Sequence, residues 1–114
     1  MLLQIAERQI EPDIAVLELS GKLALGQESQ RIESLIEELV KKGAQRVIVD
    51  MTSVDYIDSA GIGMVALAAG RLRESGGKLA IVAPEGKVLQ LLTLTQINTI
   101  VKVCPTVADA TGSV

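Results

Sequence analysis

A short segment between an apolar stretch and a run of small residues holds most of the chain's candidate chemistry. Residues 49–63 read VDMTSVDYIDSAGIG, with three aspartates and two serines among them. Asp58 and Ser59 directly precede the small residues, and both are residue types that favour the first positions of a helix. Ser59 therefore combines a hydroxyl group with the positive end of a helix dipole, which tolerates an added phosphate.

The position of Ser59 suggests a regulatory role that depends on its exposure. A hydroxyl at a helix start, beside the end of a strand, is expected to be exposed. A phosphate would add about −1.5 to −2 charges at pH 7, next to Asp58 and near Asp55. This change should expel a protein partner without reshaping the fold. A purely structural interpretation is compatible with it: Asp58 caps the helix by accepting hydrogen bonds from the amides of Ala60 and Gly61.

Three glycines, Gly61, Gly63 and Gly70, lie within the predicted helix that follows. Each costs about 1 kcal/mol relative to alanine in a helix interior. Close packing of the helix on the sheet would offset this cost, and so would the close approach of a partner's backbone to the first turn.

The composition excludes several classes of function. The 114 residues include no histidine, so a Ser-His-Asp or Cys-His arrangement cannot form, and Cys104 is the only cysteine. Tyr56 is the only aromatic residue and the net charge is −3, which disfavours direct nucleic-acid binding. Ile57 occupies the first glycine position of a nucleophile elbow. We therefore predict no catalytic residues, no cofactor and a non-enzymatic protein.

The carboxylates of Asp50, Asp55 and Asp58 offer a weaker alternative, a site for a hard cation. Turn and cap roles for each carboxylate are the favoured interpretation, so no metal ligand is predicted.

Targeting signals are not evident. The first residues lack a basic region followed by an apolar stretch, and the longest apolar run, residues 62–70, is too short to span a membrane. A lone cysteine suits a reducing compartment. These features predict a cytoplasmic protein without membrane insertion. The length of 114 residues predicts a single domain over residues 1–114.

The periodicity predicts the element order β-β-α-β-α-β-α-β. The expected strands are residues 2–9, 14–19, 46–51, 78–83 and 99–103, and the expected helices are 26–42, 59–75 and 85–95, with a short fourth helix starting at 106–109. Gly21 is expected to end the second strand, and residues 52–57 to form a turn. The predicted fold is α/β: a mixed, mostly parallel sheet of about five strands with an N-terminal hairpin, covered by three to four helices.

The same segments resemble the STAS domain family, and the free-standing anti-sigma factor antagonists within it. The similarity rests on DSAGIG at 58–63, VIVDM at 47–51 and VDYI at 54–57, supported by LELSGKL at 17–23, GGKL at 76–79 and LLTLT at 91–95. The resemblance implies that Ser59 is phosphorylated by an anti-sigma factor that is a serine kinase, and that a phosphatase resets the switch. The implied partner-binding residues are Asp58, Ser59, Ala60, Gly61, Ile62 and Gly63.

Two positions depart from the family pattern. Ala24 stands where many members carry an aspartate, and Gln96 where a glycine is common. Two alternatives remain open: a constitutive STAS-type subunit of a transporter or signalling assembly, and nucleotide binding by the domain itself.

Overall fold

The computed structural model describes residues 3–23 and 27–114, with only the backbone of 27–29. Ala24 therefore lies outside the described residues. The elements are β1 (Gln4–Glu11), β2 (Ile14–Leu23), α1 (Gln27–Lys41), β3 (Arg46–Ile57), α2 (Ser59–Glu74), β4 (Lys78–Val82), α3 (Lys87–Leu94), a 3₁₀ turn (Ile97–Thr99), β5 (Lys102–Cys104) and α4 (Val107–Ser113). The predicted order of strands and helices is confirmed.

The strands form one sheet in the order β1-β2-β3-β4-β5. β1 pairs antiparallel with β2 through a tight turn, whereas β2, β3, β4 and β5 run parallel to one another. The predicted mixed sheet with its N-terminal hairpin is confirmed. Because β2 to β5 are parallel, their carboxyl ends share one end of the sheet, where binding sites of α/β proteins usually form.

The parallel strands are buried on both faces, as their continuous apolar sequences require. On one face, alternate strand residues pack against α1, α2 and α3; the buried helix residues there include Ile32, Ile36, Val65, Leu72 and Leu92. On the other face, α4 covers a smaller cluster that contains Ala110 and Cys104. Cys104 is thus a buried core residue, as predicted.

Three sequence-based predictions about strand limits were wrong. The last strand does not begin at residue 99, because Ile97–Thr99 forms a 3₁₀ turn and β5 starts at Lys102. Gly21 does not end β2: with φ of 94° it sits at an irregularity in the β2–β3 register, and the strand continues to Leu23. Residues 52–57 do not form a turn, because β3 runs on to Ile57 and pairs its last residues with the end of β2. Both β2 and β3 therefore reach the start of α2.

The remaining boundaries follow local signals. Gly43 and Gly76 both have positive φ, at 92° and 87°, just beyond the ends of α1 and α2. Thr106 caps α4 by accepting a hydrogen bond from the Asp109 amide at 3.1 Å, as its sequence predicted. Gln96 follows α3 in the left-handed conformation, with φ of 61°. This conformation explains why glycine suits that position better.

Candidate functional site

The candidate site lies where β3 leads into α2, at the carboxyl end of the parallel strands. The Asp58 amide donates a hydrogen bond to the Leu23 carbonyl oxygen at 3.3 Å, which ties the junction to the end of β2. Because β2 and β3 extend further than the sequence predicted, they fix the position of the first turn of α2.

Asp58 is the N-cap of α2. Its backbone is extended, with φ of −116° and ψ of 178°, and its carboxylate oxygen Oδ1 accepts from the Gly61 amide at 2.9 Å. The predicted cap is confirmed for Gly61, and the Ile62 amide donates to the Asp58 carbonyl at 3.0 Å to begin the helix. The cap fixes the backbone of the first turn of α2, in which Ser59 is the first residue.

Gly61 is the point at which α2 touches the end of β2. A Cβ atom at this residue would lie 2.6 Å from the Leu23 carbonyl oxygen and 3.1 Å from the Leu23 Cγ. These distances are too short for a side chain, so close packing of the helix on the sheet accounts for this glycine.

The six residues predicted to bind a partner are divided between surface and interior. Ser59 is exposed as the first residue of α2, Gly63 is exposed one turn later, and Asp58 and Ala60 are half-buried. Gly61 and Ile62 are buried, so they support the turn from below. The surface available to another protein is therefore formed by Ser59, its two flanking residues and Gly63.

The exposed surface of α2 continues beyond the predicted residues. Beyond its neighbours in the helix, no atom of the described chain would lie within 4 Å of a Cβ at Gly63, so packing against other elements does not explain this glycine. Leu67, four residues further on, is 66% exposed. Ser59, Gly63 and Leu67 lie on one side of the helix at intervals of four residues, and we call them the α2 stripe. The four-residue spacing can be seen in the sequence, but only the structure shows that Leu67 is exposed.

Next to the site, the penultimate residues of β2 and β3 form an exposed pair. Lys22 and Tyr56 are register partners, and the Lys22 ammonium lies 5.0 Å from the centroid of the tyrosine ring. Tyr56 is 48% exposed. This cation–π contact keeps a positive charge and the chain's aromatic side chain at the same end of the sheet as Ser59.

Two of the three candidate aspartates have structural partners. Asp50 accepts hydrogen bonds from the Thr52 amide at 3.0 Å and from its hydroxyl at 2.6 Å, and Asp58 caps α2. Across residues 3–23 and 27–114, no group of three or more potential metal-binding side chains comes together. Nor does any helix in those ranges have the length and apolar character needed to cross a membrane.

Comparison with known proteins places this arrangement in a family. The sequence model of the STAS domain matches residues 6–110. A protein of Thermotoga maritima named as a candidate anti-sigma factor antagonist is 28% identical over 102 residues, which is 90% of each chain.

Solved structures agree with this assignment of fold. The crystal structure of an anti-sigma factor antagonist from Mycobacterium paratuberculosis superposes with a TM-score of 0.83 at 19% identity, covering 99% of this chain and 94% of the other. The Bacillus cell fate determinant SpoIIAA, in its phosphorylated form, gives a TM-score of 0.73 at 17% identity and covers 96% and 98%. Sequence and fold together show that the chain belongs to the STAS domain family.

Proposed function

We propose that this protein is an anti-sigma factor antagonist that acts in the cytoplasm as a non-catalytic interaction switch. Unphosphorylated, it binds an anti-sigma factor serine kinase; phosphorylation of Ser59 releases it, and a phosphatase restores the binding form. The observation that carries the proposal is the position of Ser59, exposed at the first residue of α2 beside a cap whose carboxylate is already engaged.

A phosphate at Ser59 would be compatible with the fold. The residue is exposed, so a larger group needs no rearrangement of the core. The positive end of the α2 dipole stabilises nearby negative charge and offsets part of the repulsion from the Asp58 carboxylate. Phosphorylation should therefore change the surface and leave the structure intact.

The same phosphate would act strongly on a partner that covers the α2 stripe. Gly63 lets another backbone come close, and Leu67 offers an apolar contact. The α2 stripe is uncharged, and Ser59 lies at one end of it. A phosphate dianion on Ser59 would have to lose its hydration when the partner docks, and this desolvation is costly. The expected effect is release of the partner.

The relatives support this proposal in two ways. The Thermotoga maritima and Mycobacterium paratuberculosis proteins are named as anti-sigma factor antagonists, the first of them as a candidate. SpoIIAA has been solved both unphosphorylated and phosphorylated, which demonstrates that this fold accepts the modification.

A phosphorylation assay tests the proposal directly. The kinase-type anti-sigma factor from the same organism is incubated with ATP and with wild-type protein, Ser59→Ala or Ser53→Ala. Ser53 is a matched control because it is also an exposed serine near the end of β3. We expect phosphate on the wild type and on Ser53→Ala, and none on Ser59→Ala. Equal phosphorylation of all three proteins would refute the assignment.

Partner capture distinguishes the alternatives. Recovery of a transporter or a large signalling assembly with no kinase would favour a constitutive STAS-type subunit. Saturable binding of ATP or GTP by the isolated protein would favour a nucleotide-binding role.

A further inference from the structure

The opposite end of the sheet carries an unusual arrangement of positive charge. Three neighbouring parallel strands each begin with a basic residue: Arg46 in β3, Lys78 in β4 and Lys102 in β5. Because the strands are parallel, all three residues lie at the amino end of the sheet. Ser59 follows the carboxyl end of β3, so these charges are separated from the candidate switch by the length of the strands.

Arg46 is neutralised within the protein. Its guanidinium contacts the Glu11 carboxylate at 3.0 Å and the Asp13 carboxylate at 3.2 Å, and it donates to the Val114 carbonyl oxygen at 3.4 Å. This set of contacts ties the hairpin and α4 to the start of β3, which is a structural role.

Lys78 and Lys102 differ from Arg46, and a third cation, Arg73, joins them from the last turn of α2. Within residues 3–23 and 27–114, none of these three side chains forms an ion pair with a carboxylate. All three are exposed. They are therefore three uncompensated positive charges at one place on a protein whose net charge is −3.

The three cations line one concave site. A cavity of about 320 Å³ lies between the end of α2, the starts of β4 and β5, and α4, and its walls include Arg73, Lys78, Lys102 and Ser113. We call it the basic pocket. Ala69, Leu79 and Ile100 give it an apolar side, and Ile100 is 53% exposed.

The backbone positions these charges. The Arg73 guanidinium donates through Nη2 to the Ile100 carbonyl oxygen at 3.2 Å, which holds it at the wall of the pocket. Lys102 is the register partner of Ala80, two residues beyond Lys78 on the same face of β4. From the spacing of strands and residues, the two lysine Cα atoms are roughly 8 Å apart.

We propose that the basic pocket binds the phosphate group of a small ligand. An arginine fork and two lysine ammonium groups provide the donors and charge that suit a phosphate dianion. The volume is close to the lower end of the range for small-molecule sites, and the apolar wall would contact a compact organic body. Free phosphate and a phosphate monoester share this chemistry. Because the pocket is distant from Ser59, the proposal stands independently of the switch.

An NMR titration of the full chain tests this proposal. Inorganic phosphate and glycerol 3-phosphate are added separately to ¹⁵N-labelled protein at constant ionic strength. We expect saturable shifts of the amides around Gly77, Lys78 and Lys102, and little change around Ser59. Tighter binding of the ester would show that the apolar wall contacts the organic part, and equal binding would show that the site takes free phosphate.

A pair of charge-matched variants provides the control. Lys78→Gln with Lys102→Gln should weaken binding by at least about tenfold, since two charge-assisted contacts are lost. Lys41→Gln with Lys42→Gln removes the same charge from exposed residues at the end of α1 and should leave the affinity unchanged. Linear, unsaturated shifts in the wild type, or equal loss in both double variants, would overturn the proposal.

Discussion

The three glycines of α2 offer matched substitutions whose effects can be worked out from the structure. At Gly63 and Gly70, a Cβ would lie more than 4 Å from any described atom beyond its neighbours in the helix, so alanine fits without strain. Removing a glycine from a helix interior should then stabilise the protein by about 0.5–1 kcal/mol at each position. For a domain of this size, that gain raises the melting temperature by roughly 2–6 °C.

Gly61→Ala should have the opposite effect. Its Cβ would lie 2.6 Å from the Leu23 carbonyl oxygen, a backbone atom that cannot turn away as a flexible side chain would. Overpacking of this kind costs about 1–3 kcal/mol, which outweighs the gain in helix propensity. Urea denaturation of the three single variants measures these differences. A stabilised Gly61→Ala, or a destabilised Gly63→Ala, would refute the packing described for α2.

The same variants separate stability from partner binding. Gly63 lies in the α2 stripe next to Ser59, whereas Gly70 lies two turns further along the helix. If a partner's backbone comes close to the stripe, the added methyl group of Gly63→Ala should weaken partner binding while stabilising the free protein. Gly70→Ala is the matched control and should bind as the wild type does. Equal partner binding by the two variants would contradict the role assigned to Gly63.

Further predictions concern single contacts, each measured by urea or thermal denaturation. Gln96→Gly should stabilise the protein by about 1 kcal/mol, since φ of 61° suits glycine better than a residue with a side chain; destabilisation would contradict that conformation. Thr106→Ala should cost about 1 kcal/mol through loss of the α4 cap, and no loss would argue against it. Arg71→Gln, which breaks the exposed ion pairs with Glu33 and Glu37 on α1, should cost less than about 1 kcal/mol. A much larger loss would show that these pairs are central to stability.

The sequence predicted the sheet and its helices well because the signals are local. The spacing of apolar residues in α1 and the continuous apolar runs at 47–49 in β3 and 79–82 in β4 follow directly from which faces are buried. The end of β3 was missed for a physical reason. Residues 52–57 are rich in polar, turn-forming types, yet they pair with residues 20–23 of β2. Such pairing between distant segments overrides local propensity.

The site was only partly predictable in the same way. The exposure of Ser59 and the cap by Asp58 follow from residue types at a helix start, and the structure confirms both. Which glycine packs against the sheet and which faces outward depends on where β2 ends relative to α2. No local sequence pattern shows that β2 extends to Leu23. The exposure of Leu67 likewise depends on how α2 lies on the sheet.

The switch itself is tested most directly by comparing two binding affinities. The proposed partner, a kinase-type anti-sigma factor from the same organism, is titrated calorimetrically with the unmodified protein and with the same protein phosphorylated at Ser59. We predict clear binding of the unmodified form and an affinity at least about tenfold weaker for the phosphorylated form, while both forms unfold at nearly the same temperature. Equal affinities would contradict the account, because a dianion at the start of α2 would then have no influence on docking.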